Sequence, residues 1–390
     1  MTDTFRRVSL GAAAGLGLCL TLLPVGQAQA QALGQGQGQG QGHGPGQAAT
    51  RVPCDVAALK TAITAANAGG GAITLASGCV YLLNAPDNAD DGLPEITGKV
   101  QITGGTRTVI QRASKADDFR VFHVVAGGSL SLNSLTVRGG VASGAGLAAG
   151  GGGILNDKGT LKLTGVTVRS NRGDFVAGGI WNNLGTLVMK DTTVHDNSAR
   201  IGGGVVTSGT MTMQGGALRG NASDSWGGGL ANAGDTKLSN VSIADNSSGL
   251  GGGIMTLTVN NASGPLRLDS TRVTGNIAES SGGGIFVGIH EPTTLNKSTV
   301  TLNTANGGPT QGGGINNDGR LFGVIITQTG APLAQEQPAA TADPALPTVT
   351  LIKSTVVKNT PTNCAPPGSV PHCDARGSGA VTGTPQRHGN

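Results

Sequence analysis

Residues 151–197 read GGGILNDKGTLKLTGVTVRSNRGDFVAGGIWNNLGTLVMKDTTVHDN, and two marks occur twice within them. In the first, a glycine run ends in an aliphatic residue, Ile154 and then Ile180. In the second, an aliphatic residue is followed by two variable positions and Asn, as Val168 to Asn171 and Val194 to Asn197. Beyond this stretch the first mark returns at Val205, Leu230, Ile254, Ile285 and Ile315, giving steps of 26, 25, 25, 24, 31 and 30 residues from Ile154 onward. The second returns at Asn221, Asn246, Asn276, Asn303 and Asn359. Between the marks lie alternating runs such as Thr160 to Val168, whose period of two is that of a strand with one apolar face. Three short strands and tight turns in a tandem unit of about 25 residues make one coil of a solenoid. Glycine suits its corners. The recurring Asn suits a turn, because it tolerates left-handed φ, and stacking at about 4.8 Å would join these side chains in a hydrogen-bonded ladder.

Composition agrees with this architecture and excludes others. Glycine supplies 69 of 390 residues, aromatics 2% and charged residues 12%, while 37% remain hydrophobic. Interior glycines, each costing a helix about 1 kcal/mol against alanine, exclude a helical bundle. The scarcity of aromatics removes the stacking platforms of a single-strand nucleic-acid binder. A net charge of +4 is too small to imply a nucleic-acid or membrane partner by itself.

The pairing of GGG[I/V/L] with xxN resembles the repeats of polymorphic outer membrane proteins and of secreted right-handed parallel β-helix proteins, the pectate-lyase-like superfold. The resemblance covers roughly residues 95–360. It implies an all-β, right-handed parallel β-helix. Its members include polysaccharide lyases, hydrolases and adhesins. The chain departs from the outer-membrane repeats by carrying Gly where they often carry Ala, and no strand-rich barrel is expected after the repeats.

Met1 to about Ala32 has the form of a signal peptide, with Arg6 and Arg7, an apolar Leu10–Leu23 and Ala28-Gln29-Ala30, so cleavage near Ala30 or Ala32 and secretion are expected. No membrane span is expected. A Gly/Gln-rich linker (33–50) follows, then an N-terminal cap (51–97), the β-helix (98–374) with a loop insertion at 320–347, and a disordered tail (375–390). The cap centres on a helix from Asp55 to Ala68, with Asp55 as N-cap, Val56, Leu59, Ile63 and Ala66 on one face, and Gly69 to Gly71 as the stop. Outside the leader stand four cysteines, which allow three pairings. Pairing neighbours, Cys54–Cys79 and Cys364–Cys373, puts one disulfide at each end of the folded region.

Stacking turns repeat positions into columns. Following the second-mark aliphatic residue come Arg138, Arg169, His195 and Arg219, then Ala244, Thr274 and Thr301. In-phase cations repel unless an anion lies between them; an acidic glycan would fit there, and a solvated outer face with Asp196 as partial compensation is the other reading. Three residues after each Asn come Asp174, Arg200, Asp224, Gly249, Glu279 and Asn306; Asp–Arg–Asp on adjacent coils is expected to form a ladder of salt bridges. The column Leu155, Trp181, Val206, Ala231, Met255 and Phe286 is expected to point outward as an apolar stripe, with Trp226 near the same corner, either as a sugar-stacking surface or as ordinary turn packing. Two functions follow. The first is a non-catalytic, monomeric, extracellular or cell-surface scaffold that binds a glycan or partner. The second is a polysaccharide lyase or glycosidase in which Asp174, Asp224 or Glu279 transfers the proton. No metal or cofactor is expected, except Ca2+ under the lyase alternative. No carboxylate cluster for such an ion is evident in consecutive coils.

Overall fold

A computed structural model describes residues 49–105, 107–260, 262–288, 292–317, 321–325, 333–337 and 348–374. The expected leader, all of the linker but its last two residues, and the tail lie outside them. Each repeat contributes to three sheets of a right-handed parallel β-helix. Segments such as Thr160–Thr164 and Thr167–Arg169 join a 19-stranded sheet, Ile154–Asp157 a nine-stranded sheet, and Arg172–Gly173 a seven-stranded one. Successive units pair in parallel and in register. Ile154, Ile180, Val205, Leu230, Ile254, Ile285 and Ile315 form one unbroken column, as the sequence spacing requires. The long sheet extends N-terminally to Thr50–Val52, which pairs with Gly71–Leu75.

The alternating runs bury one face, and Ile154, Leu161, Leu163 and Val168 stack with their counterparts in the main core. Each such side chain contributes about 1.5–3 kcal/mol on burial, and the repeat multiplies that gain coil by coil.

The Asn ladder is present. Nδ2 donates to Oδ1 of the next coil from Asn171 to Asn197 (2.9 Å), Asn197 to Asn221 (3.0 Å), Asn221 to Asn246 (3.0 Å), Asn246 to Asn276 (2.9 Å), Asn276 to Asn303 (2.8 Å) and Asn303 to Asn359 (3.0 Å). The left-handed turn residue, however, is the one before each Asn: φ is 52° at Ser170, 54° at Asp196, 59° at Gly220 and 55° at Asp245. The corner bend and the ladder are therefore divided between two adjacent residues, which leaves the amide free to turn inward. The glycine run serves close approach: a Cβ at Gly253 would lie 2.6 Å from the Gly284 carbonyl oxygen and 3.0 Å from Asn276 Cγ.

At the N-terminal end, a helix spans Val56–Gly69, with Ala58 N donating to Asp55 Oδ1 at 2.6 Å and Gly70 at φ 73° terminating it. Leu59, Ala62, Ile63 and Ala66 are buried, and Val56 is half-buried. Both disulfides have the neighbour pairing: Cys54–Cys79 with Cα atoms 5.6 Å apart, and Cys364–Cys373 at 6.2 Å. The insertion at 320–347, expected as a loop, contains a hairpin. Leu321–Ile325 runs antiparallel to Leu333–Gln337, and its other edge pairs in parallel with Thr258–Val259. Among the described residues no helix is long and apolar enough to cross a membrane.

Candidate functional site

The outer face of the long sheet is built from the residues that alternate with the buried aliphatics. In the strands Thr136–Arg138 and Thr167–Arg169, the central Val is buried and the flanking Thr and Arg face out. Register places Arg138 beside Arg169, Arg169 beside His195, and His195 beside Arg219. The same column begins with Leu82 and Gln111, and continues past Arg219 with Ala244, Thr274 and Thr301. Four cationic or protonatable side chains thus occupy four consecutive coils, spanning about 14 Å at the inter-strand spacing.

Their local partners differ. Arg138 Nε donates to Gln111 Oε1 at 2.6 Å. His195 Nδ1 lies 2.7 Å from Asp196 Oδ2. Among the described residues, no carboxylate lies within ion-pair range of Arg138, Arg169 or Arg219. The following coils behave otherwise: Arg267 pairs with Asp235 at 2.7 Å and Lys237 with Asp269 at 3.8 Å. Burial, and then the charge of Arg169, hold the Arg138 guanidinium below the usual arginine range. Beside this column runs a shallow groove of about 270 Å3, lined by Arg107, Ser134, Thr136, Gly165 and Thr167. A larger hollow of about 530 Å3 lies at the N-terminal end of the same face, where Val80 and Leu82 stand exposed beside Val56 and Lys60.

The expected apolar stripe is buried instead. Leu155, Trp181, Val206, Ala231, Met255 and Phe286 are each 0% exposed, and Trp226 is 9% exposed. Neighbouring residues on a strand point to opposite faces, so this column does lie outside the main core, but Phe175, Val176, Ile201 and Trp226 close over it in a second apolar cluster. A Cβ at Gly150 would lie 2.5 Å from Trp181 Cε3, so the glycine run itself covers the indole. Neither Trp181 nor Trp226 presents a stacking surface. The sequence carried the signal: pairs such as Ile180-Trp181, Ile254-Met255 and Ile285-Phe286 make short apolar runs, which mark strands buried on both faces.

The Asp–Arg–Asp salt-bridge ladder does not form. Asp174 pairs with Arg172 of its own coil at 3.0 Å, and the Arg200 guanidinium lies over the Phe175 ring, 5.3 Å from its centroid. An aromatic face within reach holds the guanidinium flat against the apolar cluster, away from both carboxylates. Asp174, Asp224 and Glu279 are all exposed.

One group escaped the sequence reading. Asp91, Glu95 and His123 bring their ligand atoms within 4.8 Å of one another. Pairing of Asp91 with Arg120 and of Ile96 with Val124 sets Glu95 beside His123, at the head of the column that continues through Leu155 and Trp181. Arg120 Nε lies 2.8 Å from Asp91 Oδ1, with both side chains almost wholly buried. Arg120 Nη1 also donates to the carbonyls of Leu147 (3.0 Å) and Gly150 (2.8 Å). Burial pushes the Asp91 carboxyl up, but the His123 hydrogen bond and the Arg120 charge outweigh it and hold Asp91 below the usual carboxylate value. The available signal was the 28-residue step from Glu95 to His123, one coil length, in a region without the glycine mark.

Comparison of the chain with protein-family models, with curated proteins and with solved structures finds no match.

Proposed function

We propose that this protein is a secreted, non-catalytic β-helix scaffold that binds an acidic extracellular glycan lengthwise along the outer face of its long sheet. The observation that carries this reading is the in-register column Arg138–Arg169–His195–Arg219, whose arginines have no carboxylate partner among the described residues, although Lys237 and Arg267 on the next two coils do. The adjacent Arg138 and Arg169 guanidinium groups repel by on the order of 1 kcal/mol even at bulk-water screening. A polymer with one carboxylate per sugar, such as a polyuronate, supplies counter-charges at intervals along the same axis. The Thr-lined groove beside the column offers hydroxyls to the sugar ring. Two disulfides suit an oxidising compartment, in keeping with the signal-like leader. The likeness of the repeats to the pectate-lyase-like superfold is in keeping with a carbohydrate ligand, though fold alone does not define function.

The test is binding of the purified protein to a polyuronate and to a neutral glucan, at low and high salt. The expected result is salt-sensitive binding to the polyuronate alone, weakened about tenfold in the Arg169→Ala/Arg219→Ala double variant. Equal affinity for both polymers, or an unaffected double variant, would overturn the proposal. Release of unsaturated uronate product during the assay would replace it with the lyase alternative.

A further inference from the structure

We propose that Asp91, Glu95 and His123 form a binding site for one divalent transition-metal ion of the zinc type. His123 Nδ1 lies 3.3 Å from Asp91 Oδ2 and 3.4 Å from Glu95 Oε1. A close imidazole–carboxylate contact approaches to about 2.7–2.9 Å, and His195 Nδ1 lies 2.7 Å from Asp196 Oδ2 in this same chain. Ligand atoms around a tetrahedral zinc, with bonds of about 2.0–2.2 Å, lie about 3.3–3.6 Å apart. The His123 spacings, long for a hydrogen bond, match the edges of such a tetrahedron.

The surroundings point the same way. Asp91 divides its carboxylate: Oδ1 is held by Arg120 Nε at 2.8 Å, while Oδ2 faces His123. An outer partner that fixes a ligating carboxylate is a regular feature of metal sites, and Arg120 is itself fixed by the Leu147 and Gly150 carbonyls. Two carboxylates against one Arg120 guanidinium leave a net negative charge for an ion to neutralise. One imidazole nitrogen with two carboxylate oxygens favours zinc and its neighbours over Ca2+ or Mg2+, which prefer all-oxygen shells. Glu95, whose side chain is 45% exposed, opens the site to solvent and leaves a fourth position for water.

The test titrates Zn2+ or Co2+ into the protein with its disulfides intact. One equivalent is expected to bind. Co2+ is expected to give the visible absorption of a tetrahedral N/O site, and Zn2+ to raise the melting temperature. Glu95→Gln, a surface change that keeps the fold, and His123→Gln should each weaken binding by at least about tenfold, while His195→Gln leaves it unchanged. Absence of both the Co2+ absorption and the Zn2+ melting shift would overturn the site. So would binding that survives Glu95→Gln and His123→Gln, or that is lost in His195→Gln.

Discussion

Arg138 lies in direct register with Arg169 on the neighbouring coil, and the second guanidinium helps to draw the first below the ordinary arginine range. Two like charges at adjacent rungs are a cost to the folded state. Removing one should relieve it. Arg169→Gln is expected to leave stability unchanged or to raise it by about 0.5 kcal/mol, while polyuronate binding weakens. Denaturant titration beside a binding assay checks this; a clear loss of stability in Arg169→Gln would make the column structural and not a binding feature.

The ladder predicts a large effect from one interior amide. Asn221 is fully buried; its Oδ1 accepts from Asn197 N (3.1 Å) and Nδ2 (3.0 Å), and its Nδ2 donates to Asn246 Oδ1 and Val194 O, both at 3.0 Å. Asn221→Leu fills the volume but strands polar groups on both neighbouring coils. A loss of about 3–5 kcal/mol is expected in chemical denaturation. A change below about 1 kcal/mol would contradict the ladder's role.

Two glycines should respond in opposite ways. At Gly253 an added Cβ meets the Gly284 carbonyl at 2.6 Å, whereas at Gly69, the last helical residue, it meets nothing within 4 Å. Gly253→Ala is therefore expected to destabilise by several kcal/mol, of order 3. Gly69→Ala should be neutral or stabilise by about 0.4–1 kcal/mol through the unfolded chain. Paired thermal melts of the two variants decide the point.

Tyr81 is the chain's single tyrosine, so its titration can be followed without interference. Its hydroxyl donates to Val52 O at 3.1 Å and accepts from Ala76 N at 3.0 Å. Burial raises its pKa above the ordinary 10.0, and the Ala76 hydrogen bond offsets this only in part. Because the folded value lies above the unfolded one, the contribution is fully present below about pH 10 and is lost as pH rises through the folded pKa. Phenolate absorbance should show a midpoint above 10, and Tyr81→Phe should flatten the alkaline loss of stability. A midpoint at or below 10 would contradict the buried hydroxyl.

What was legible in the sequence is what repeats. Ile154 and Ile180, or Asn171 and Asn197, differ by one coil length, so their stacking follows from counting. The same arithmetic placed Arg138, Arg169, His195 and Arg219 in one column. It did not find Asp91, Glu95 and His123, because the early coils lack the regular glycine and Asn marks. Nor did it foresee that Phe175 and Trp226 would close over Trp181, although the run of apolar pairs was available to suggest it.

By itself the sequence determined the coil, its register and the ladder, because a fixed period sets which residues become neighbours between rungs. Only the tertiary structure decided which faces stay open and which charges find partners. Cover over the Trp181 column depends on how Phe175, Ile201 and Trp226 fold back over the nine-stranded sheet, and the Arg200–Phe175 stack on which neighbour a side chain turns to. Both are set by side-chain packing, and a one-dimensional period does not encode them.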